Sequence, residues 1–250
     1  MGDIDLTVVV PAYNEIESIG ELYSIMTAEL EGLGRSYEII FVDDGSTDGG
    51  KDVLRTLRGI DSRVGAIFLE KNFGQSAALS AGFDRSRGNF IVTLDSDLQN
   101  NPADIKPLLK CLEGGYDVVV GWRYERADPL LSKRIPATIS NAIIRCLTGV
   151  RVHDCGCSFK VFRGEVARSM SLTKGMHRFI PVIMRQRGFK VGELKVSHRM
   201  RRYGRSKYSI WRIPRAFMDF IILVFRPSLV DHRPASQGGF GRDYVISEVL

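Results

Sequence analysis

Phe90-Ile91-Val92-Thr93-Leu94-Asp95-Ser96-Asp97-Leu98-Gln99 is the stretch on which the reading of this chain turns. An apolar strand runs directly into two carboxylates one residue apart. On an extended segment, positions i and i+2 point to the same side. Asp95 and Asp97 then face one way, and Gln99 continues the series with a neutral oxygen. Hard oxygens at that spacing suit an octahedral Mg²⁺ or Mn²⁺ that also holds a diphosphate. Acidic pairs also stand in turns and at helix N-termini, and Asn100-Asn101-Pro102 supplies that context here. The triplet by itself leaves both readings open.

Upstream, the pattern of apolar strand followed by polar cluster recurs. Residues 6–10 read as a buried strand stopped at Pro11. Residues 17–33 carry Ile19, Leu22, Ile25, Met26 and Leu30 at helical spacing. A second strand over 37–42 ends in Asp43-Asp44-Gly45-Ser46 and is followed by a helix over 48–60. A third strand (64–69), a small-residue helix (75–86), the fourth strand (90–94), a helix (102–113) and a fifth strand (117–120) complete the alternation. Continuous apolar strands alternating with amphipathic helices predict an α/β fold with a mostly parallel sheet covered on both faces. In such sheets ligands bind beyond the strand C-termini. The clusters Pro11 to Glu15, Asp43 to Ser46, Asp95 to Asp97 and Gly121-Trp122-Arg123-Tyr124 all fall at that rim, where turn residues also gather.

The second half is more irregular. Residues 131–147 suggest a basic, apolar helix broken early by Pro136. A possible strand lies at 159–162, a helix at 176–187 and a strand at 189–196. A second basic amphipathic helix follows over 208–225. Apolar residues on these two basic helices suit a membrane interface, with arginines at the headgroups; packing on the core is the alternative for the same faces. Residues 226–250 are polar and aperiodic and are expected to pack poorly.

The 250 residues are 44% hydrophobic and 26% charged, with a net charge of +6. That is ordinary globular composition with a bias toward an anionic partner. The four cysteines form no Cys-x-x-Cys pair and the four histidines are scattered, which argues against zinc. Reduced thiols of a cytosolic protein are the expectation. The first six residues lack the features of a secretory signal, and no apolar run reaches the ~18–20 residues of a membrane span. The basic stretch from Lys195 to Arg215 reads as a Tyr-Gly-Arg-Ser-Lys pattern rather than as aromatics interleaved for base stacking, so nucleic acid is not expected as a partner.

Five motifs occur in order: Val9-Val10-Pro11-Ala12-Tyr13-Asn14-Glu15; Val42-Asp43-Asp44-Gly45-Ser46-Thr47-Asp48-Gly49; Asn72-Phe73-Gly74-Gln75; Asp95-Ser96-Asp97-Leu98-Gln99; and Arg201-Arg202-Tyr203-Gly204-Arg205-Ser206-Lys207-Tyr208. Together they resemble glycosyltransferase family two with the GT-A fold. The resemblance is greatest to its polyprenyl-phosphate, dolichol-phosphate mannose synthase-like branch. It covers roughly residues 5–225. It implies a GT-A domain over 1–225, with a nucleotide-sugar half at about 1–122, an acceptor and membrane-facing half at about 123–225, C-terminal interfacial helices, and a polar tail over 226–250.

The resemblance also implies roles. Pro11, Tyr13 and Glu15 match one nucleoside-binding loop, and Val42 and Asp44 a second. Asp95, Asp97 and Gln99 match the site for Mg²⁺ or Mn²⁺ and the diphosphate, with Ser96 a backbone contact. Arg123 matches a position near sugar and phosphates, and Arg134 a second guanidinium at the acceptor. Arg201 and Lys207 match a pair closing over phosphate. Asp154 matches a position near the sugar, where it orients a hydroxyl or acts as base; a turn acid is its plain alternative. Asp97, Arg123, Arg201 and Asp154 are the catalytic candidates.

The implied activity is metal-dependent, inverting transfer of a hexose from a nucleotide-diphosphate sugar, of the GDP-mannose or UDP-glucose type, to a polyprenyl or dolichyl phosphate. Its place is the cytoplasmic face of a membrane, with a membrane-anchoring partner subunit conceivable. The alternatives are a family-two enzyme acting on a saccharide or protein hydroxyl, and a non-catalytic nucleotide-sugar-binding subunit.

Overall fold

The computed structural model describes residues 4–125, 135–204, 220–221 and 244–250. Its centre is one eight-stranded sheet. The strands are β1 (Leu6–Ala12), β2 (Tyr37–Asp43), β3 (Val64–Leu69), β4 (Phe90–Thr93), β5 (Val118–Arg123), β6 (Lys160–Arg163), β7 (Val191–Val196) and β8 (Ile246–Val249), in the spatial order β7-β5-β6-β4-β1-β2-β3-β8. The helices are α1 (Ile16–Glu31), α2 (Gly50–Ile60), α3 (Gln75–Arg85), α4 (Ile105–Glu113), α5 (Ile135–Thr148), α6 (Gly164–Arg168) and α7 (Ile180–Gln186). Strands β1 to β4 run parallel, as β5 does to β7. Strand β6 is antiparallel to both β4 and β5, and β8 is antiparallel to β3. The expected mostly parallel α/β sheet is therefore present, with β6 and β8 as antiparallel additions.

The burial of these strands explains their composition. Val8, Val9, Val10, Ile39, Phe41, Val42, Ile91, Val92, Val118, Val119 and Val120 are wholly buried. Sheets covered on both faces demand such unbroken apolar runs. Beyond the strands, Phe83 of α3 meets Phe162 of β6 edge to face at 5.6 Å, which ties the two halves of the sheet into one core.

Proline positions show how backbone hydrogen bonding sets the limits. Strand β1 does not stop at Pro11 but continues to Ala12, in register with β2. The Leu94 N–H donates to Val9 O, so odd positions of β1 face β4. Pairing with β4 ends at Val9 and Thr93. Pro11 is the next odd position and faces the open side, where its missing N–H costs nothing. At that point β4 parts from β1 and a crevice opens. Pro136, expected to break a helix, lies in the first turn of α5, where no intrahelical N–H is needed.

Two departures concern the edges of the sheet. The segment predicted as a possible strand at 159–162 is β6, wedged antiparallel between β4 and β5. Within the region expected to pack poorly, residues 246–249 form β8 on the edge of β3, and Tyr244 OH donates to Asp84 Oδ2 at 2.9 Å. The predicted helix over 208–225 lies outside the described residues except for 220 and 221, where Phe220 is buried against Phe179. No helix among the described residues is long and apolar enough to cross a membrane. All four cysteines are free, and burial pushes the Cys155 thiol up to about 12 and that of Cys157 up to about 11, which makes both unreactive.

Candidate active site

The crevice beside β1 holds a cleft of about 400 Å³ lined by Pro11, Tyr13, Glu15, Asp44, Asn72, Gly74, Gln75, Asp95, Ser96, Asp97 and Arg201, together with Ala12 and Ala78. Loops after four successive parallel strands meet there with one late residue, which is where a doubly wound sheet places a ligand.

The two loops after β1 and β2 are laced together. Asn14 has a φ of +51°, a left-handed conformation that asparagine tolerates. Its N–H donates to Ser46 Oγ at 2.9 Å, and its Oδ1 accepts from the Thr47 N–H at 2.8 Å. Asp48 Oδ2 accepts the Ile16 N–H at the start of α1 at 2.9 Å. Gly45, at φ +73°, lies against the turn after β3; a Cβ there would stand 2.4 Å from the Lys71 carbonyl carbon. This close approach lets Asp44 accept the Phe73 N–H at 2.7 Å and the Gly74 N–H at 2.9 Å. Burial pushes the Asp44 carboxyl up to about 6, against the pull of those two N–H groups.

The acids after β4 occupy the floor of the cleft. Asp97 is 8% exposed. Burial, with the Asp95 charge adding to it and Arg201 opposing, pushes its carboxyl up to about 6. Arg201 bridges two acids, donating through Nη2 to Asp97 Oδ2 at 2.7 Å and through Nη1 to Glu15 Oε1 at 3.0 Å. Asp95 Oδ1 accepts from Gln75 Nε2 at 2.8 Å. Two hard carboxylates side by side, one of them costly to ionise, fit a divalent cation that draws its remaining ligands from water and phosphate oxygens. Among the described residues no group of three or more His, Cys, Asp or Glu could hold a metal by itself. Asp95 and Asp97 are thus the residues that could hold Mg²⁺ or Mn²⁺ shared with a diphosphate.

Gln99 stands apart from this pair. Residues 96–98 turn, and Leu98 takes a φ of +60°. The extended series assumed from the sequence is thereby broken, and Gln99 does not line the cleft. Its N–H donates to Asp97 Oδ1 at 3.2 Å, and its side-chain Nε2 donates to Arg199 O at 3.2 Å. Gln99 thus holds the segment 197–204 across the rim, aided by the Arg199 N–H on Gln99 O at 2.8 Å and the Ser197 N–H on Asp104 Oδ2 at 2.8 Å. Arg202 and Tyr203 close the same segment onto Glu21 of α1. A non-glycine residue in the left-handed region beside the acids marks the kind of local strain that gathers at functional sites.

The remaining expected residues are distributed differently. The Val42 side chain is wholly buried and faces Gly82 on α3, where an added Cβ would lie 3.3 Å from it. Strand alternation directs it to the core, so it is corrected from a ligand contact to a packing residue. Arg123 and Asp154 form a separate two-point ion pair: Nε to Oδ2 at 2.7 Å and Nη2 to Oδ1 at 2.9 Å. Lys160, wholly buried below them, donates to Cys157 O, and burial holds its ammonium below the usual lysine range. Arg134 and Lys207 lie outside the described residues. Asn72, Gly74 and Gln75 line the cleft although sequence reasoning gave their motif no role; their position directly after the third strand was the available signal.

Solved structures similar to this one include glucosyl-3-phosphoglycerate synthase from Mycobacterium tuberculosis in complex with Mn²⁺, uridine diphosphate and glucosyl-3-phosphoglycerate. The TM-score is 0.69 at 18% identity, covering 97% of this chain and 86% of that one. Among curated relatives, dodecaprenyl-phosphate galacturonate synthase of Rhizobium johnstonii is 39% identical over 226 residues, 89% of this chain and 67% of the relative. Undecaprenyl-phosphate 4-deoxy-4-formamido-L-arabinose transferase of Pseudomonas aeruginosa is 39% identical over 220 residues, 87% and 65% of the two chains. The chain thus spans about two thirds of the length of these relatives. The model of the family described as glycosyl transferase family 2 matches residues 7–170, and with these relatives it establishes that the chain belongs to that family.

Proposed function

We propose that this chain transfers a hexose or hexose-like sugar from a nucleotide-diphosphate donor to a polyprenyl phosphate, with inversion, at the cytoplasmic face of a membrane. One observation carries the reading. Asp95 and Asp97 line a single cleft with the nucleoside-side residues Tyr13, Glu15 and Asp44 and with the cation Arg201. A nucleoside diphosphate needs that combination: polar groups for base and ribose, acids for a shared metal, and a guanidinium for phosphate oxygens. The acceptor class is favoured by the relatives named for dodecaprenyl and undecaprenyl phosphate.

The residues divide the work. Tyr13, Glu15 and Asp44 hold the nucleoside. Asp95 and Asp97 would hold Mg²⁺ or Mn²⁺, which would neutralise charge developing on the leaving diphosphate. Arg201, freed from its carboxylates, adds a forked positive group over the same phosphates, with Lys207 as a further charge. Arg123 orients the sugar or the acceptor phosphate. A phosphate monoester is anionic at neutral pH and attacks the anomeric carbon without a strong base. Rate enhancement then rests on positioning and electrostatics. The two-point bond between Arg123 and Asp154 supports this assignment, because both Asp154 oxygens already accept from a guanidinium.

The membrane part draws on α5. Asn141 and Ile144 face inward, whereas Ile139, Ile143 and Leu147, four residues apart, are 56%, 40% and 59% exposed. That apolar stripe suits the acyl boundary. The test is incubation of the chain with polyprenyl phosphate, Mn²⁺ or Mg²⁺, and labelled UDP- and GDP-linked sugars, including a galacturonate and a 4-deoxy-4-formamido-arabinose. Glycolipid that forms with one donor and vanishes with EDTA supports the reading; no glycolipid from any donor with folded protein overturns it.

A further inference from the structure

The turn Asn72-Phe73-Gly74-Gln75 between β3 and α3 reaches two acids of the cleft, Asp44 and Asp95, with consecutive residues. The Phe73 and Gly74 N–H groups hold Asp44, and the side chain of the next residue, Gln75, holds Asp95 Oδ1 at 2.8 Å. Gly74 has a φ of +99°, open only to glycine without strain, and this tightens the turn. One residue further on, Ser76 Oγ meets His177 Nδ1 at 2.9 Å, which pins the start of α3 from the other side. The helix start is thus held on three sides.

We propose that Gln75 is a positioning residue for the metal-side carboxylate. It grips Oδ1 of Asp95 and so fixes the rotation of the carboxylate that would help to hold the cation. This rests on the reading of the cleft as a metal-diphosphate site. An amide suits the task. A carboxylate only accepts hydrogen bonds, so the NH₂ end of Gln75 must face Asp95. The group carries no charge, so it neither neutralises Asp95, as lysine would, nor repels it, as glutamate would. The same turn holds Asp44, so one short segment sets the nucleoside end and the metal end of the cleft relative to each other.

The test measures Mn²⁺ affinity by electron paramagnetic resonance with saturating UDP or GDP, and nucleotide affinity by calorimetry without metal. In Gln75→Met the Mn²⁺ dissociation constant is expected to rise about 10–100-fold, the usual effect of losing a partner that orients a metal ligand. Metal-free nucleotide affinity should stay within about twofold, because Phe73 and Gly74 still hold Asp44. A collapsed turn would weaken both. Gln75→Asn keeps the amide but falls one methylene short, and it should show the same selective loss if the Met variant folds poorly. Gln75→Met added to Asp95→Asn should cost no more than Asp95→Asn alone. Normal Mn²⁺ binding by wild type and by both Gln75 variants overturns the proposal alone. Absence of Mn²⁺ binding by the wild type with either nucleotide overturns the site reading and this proposal together.

Discussion

Arg201 and Asp97 are 104 residues apart in the chain, yet Arg201 Nη2 donates to Asp97 Oδ2 at 2.7 Å. The same guanidinium reaches Glu15, so a late residue offsets the charge of acids brought in by β1 and β4. In the proposed donor complex the guanidinium would exchange these carboxylates for phosphate oxygens. Arg201→Met should therefore lower kcat/KM by about 10²–10³-fold, the scale of losing one preorganised charge donor. Arg201→Lys should recover little, since a point charge cannot bridge two carboxylates as a fork does. Steady-state kinetics with saturating acceptor checks both.

The two buried acids give the ligand-free chain an unusual pH response. Asp44 and Asp97 both stand at about 6, above the ordinary 3.8. The folded state then binds these protons more tightly than the unfolded state. Their contribution to stability is complete below about 4 and is lost as pH rises through about 6, on the order of 2–3 kcal/mol for each group. The proposed metal would require Asp97, with Asp95, in its ionised form, so the stabilisation conferred by Mn²⁺ with UDP or GDP should run the other way, growing from pH 5 and levelling near pH 7. Melting curves across that range, with and without Mn²⁺ and nucleotide, separate the two trends. A ligand-induced shift that is flat with pH would contradict the assignment of Asp97.

A sharper consequence concerns Asp97→Asn. Removing a buried carboxylate that is costly to ionise should leave the metal-free melting temperature at pH 8 unchanged or raised. Arg201 retains Glu15, so its charge is not orphaned. The same substitution should abolish the Mn²⁺-dependent shift. Loss of both stability and metal response would mean that Asp97 serves the fold first.

Much of this was legible in the sequence because the signals were local. The strands β1 to β5 announced themselves by unbroken apolar runs, and the acids at their ends by the rule that ligands gather there. What escaped depended on partners distant in sequence. Strand β8 is four residues long and is held by the β3 edge; the apolar run Tyr244-Val245-Ile246 leading into it was its local signal, set within a polar, glycine-rich stretch. Gln99 was misplaced because the extended geometry assumed after β4 yields to a turn at Leu98, a backbone choice that a leucine does not signal. Val42 was placed at the nucleoside by the family resemblance, whereas strand alternation sends its side chain to α3. The pairing of Arg123 with Asp154 required the β5 end and the loop before β6 to meet, which only the antiparallel wedge of β6 brings about.

That pair separates the two acceptor chemistries. A hydroxyl acceptor needs a base, and loss of a general base typically costs about 10²–10⁴-fold. If Asp154 instead orients Arg123, Asp154→Asn should cost less than about 10²-fold toward polyprenyl phosphate, because the amide oxygen still accepts from the guanidinium. The pH–rate profile should keep its shape. Disappearance of a limb of the profile in this variant would identify Asp154 as a proton acceptor and favour a saccharide or protein hydroxyl.

The apolar stripe of α5 makes the membrane reading testable apart from catalysis. Asn141 accepts the Cys155 N–H at 3.3 Å on the inward face, so the helix is already seated, and Ile139, Ile143 and Leu147 are not needed to seat it. Burying an aliphatic side chain fully contributes about 1.5–3 kcal/mol, and partial insertion of three should together alter vesicle partitioning by about 10²-fold. The triple change to serine should therefore release the chain from liposomes in sedimentation assays. Its melting temperature should hold, and so should its rate with a short, water-soluble polyprenyl phosphate. Undiminished liposome binding would move the membrane contact to another face, and a lower melting temperature would return the stripe to the core.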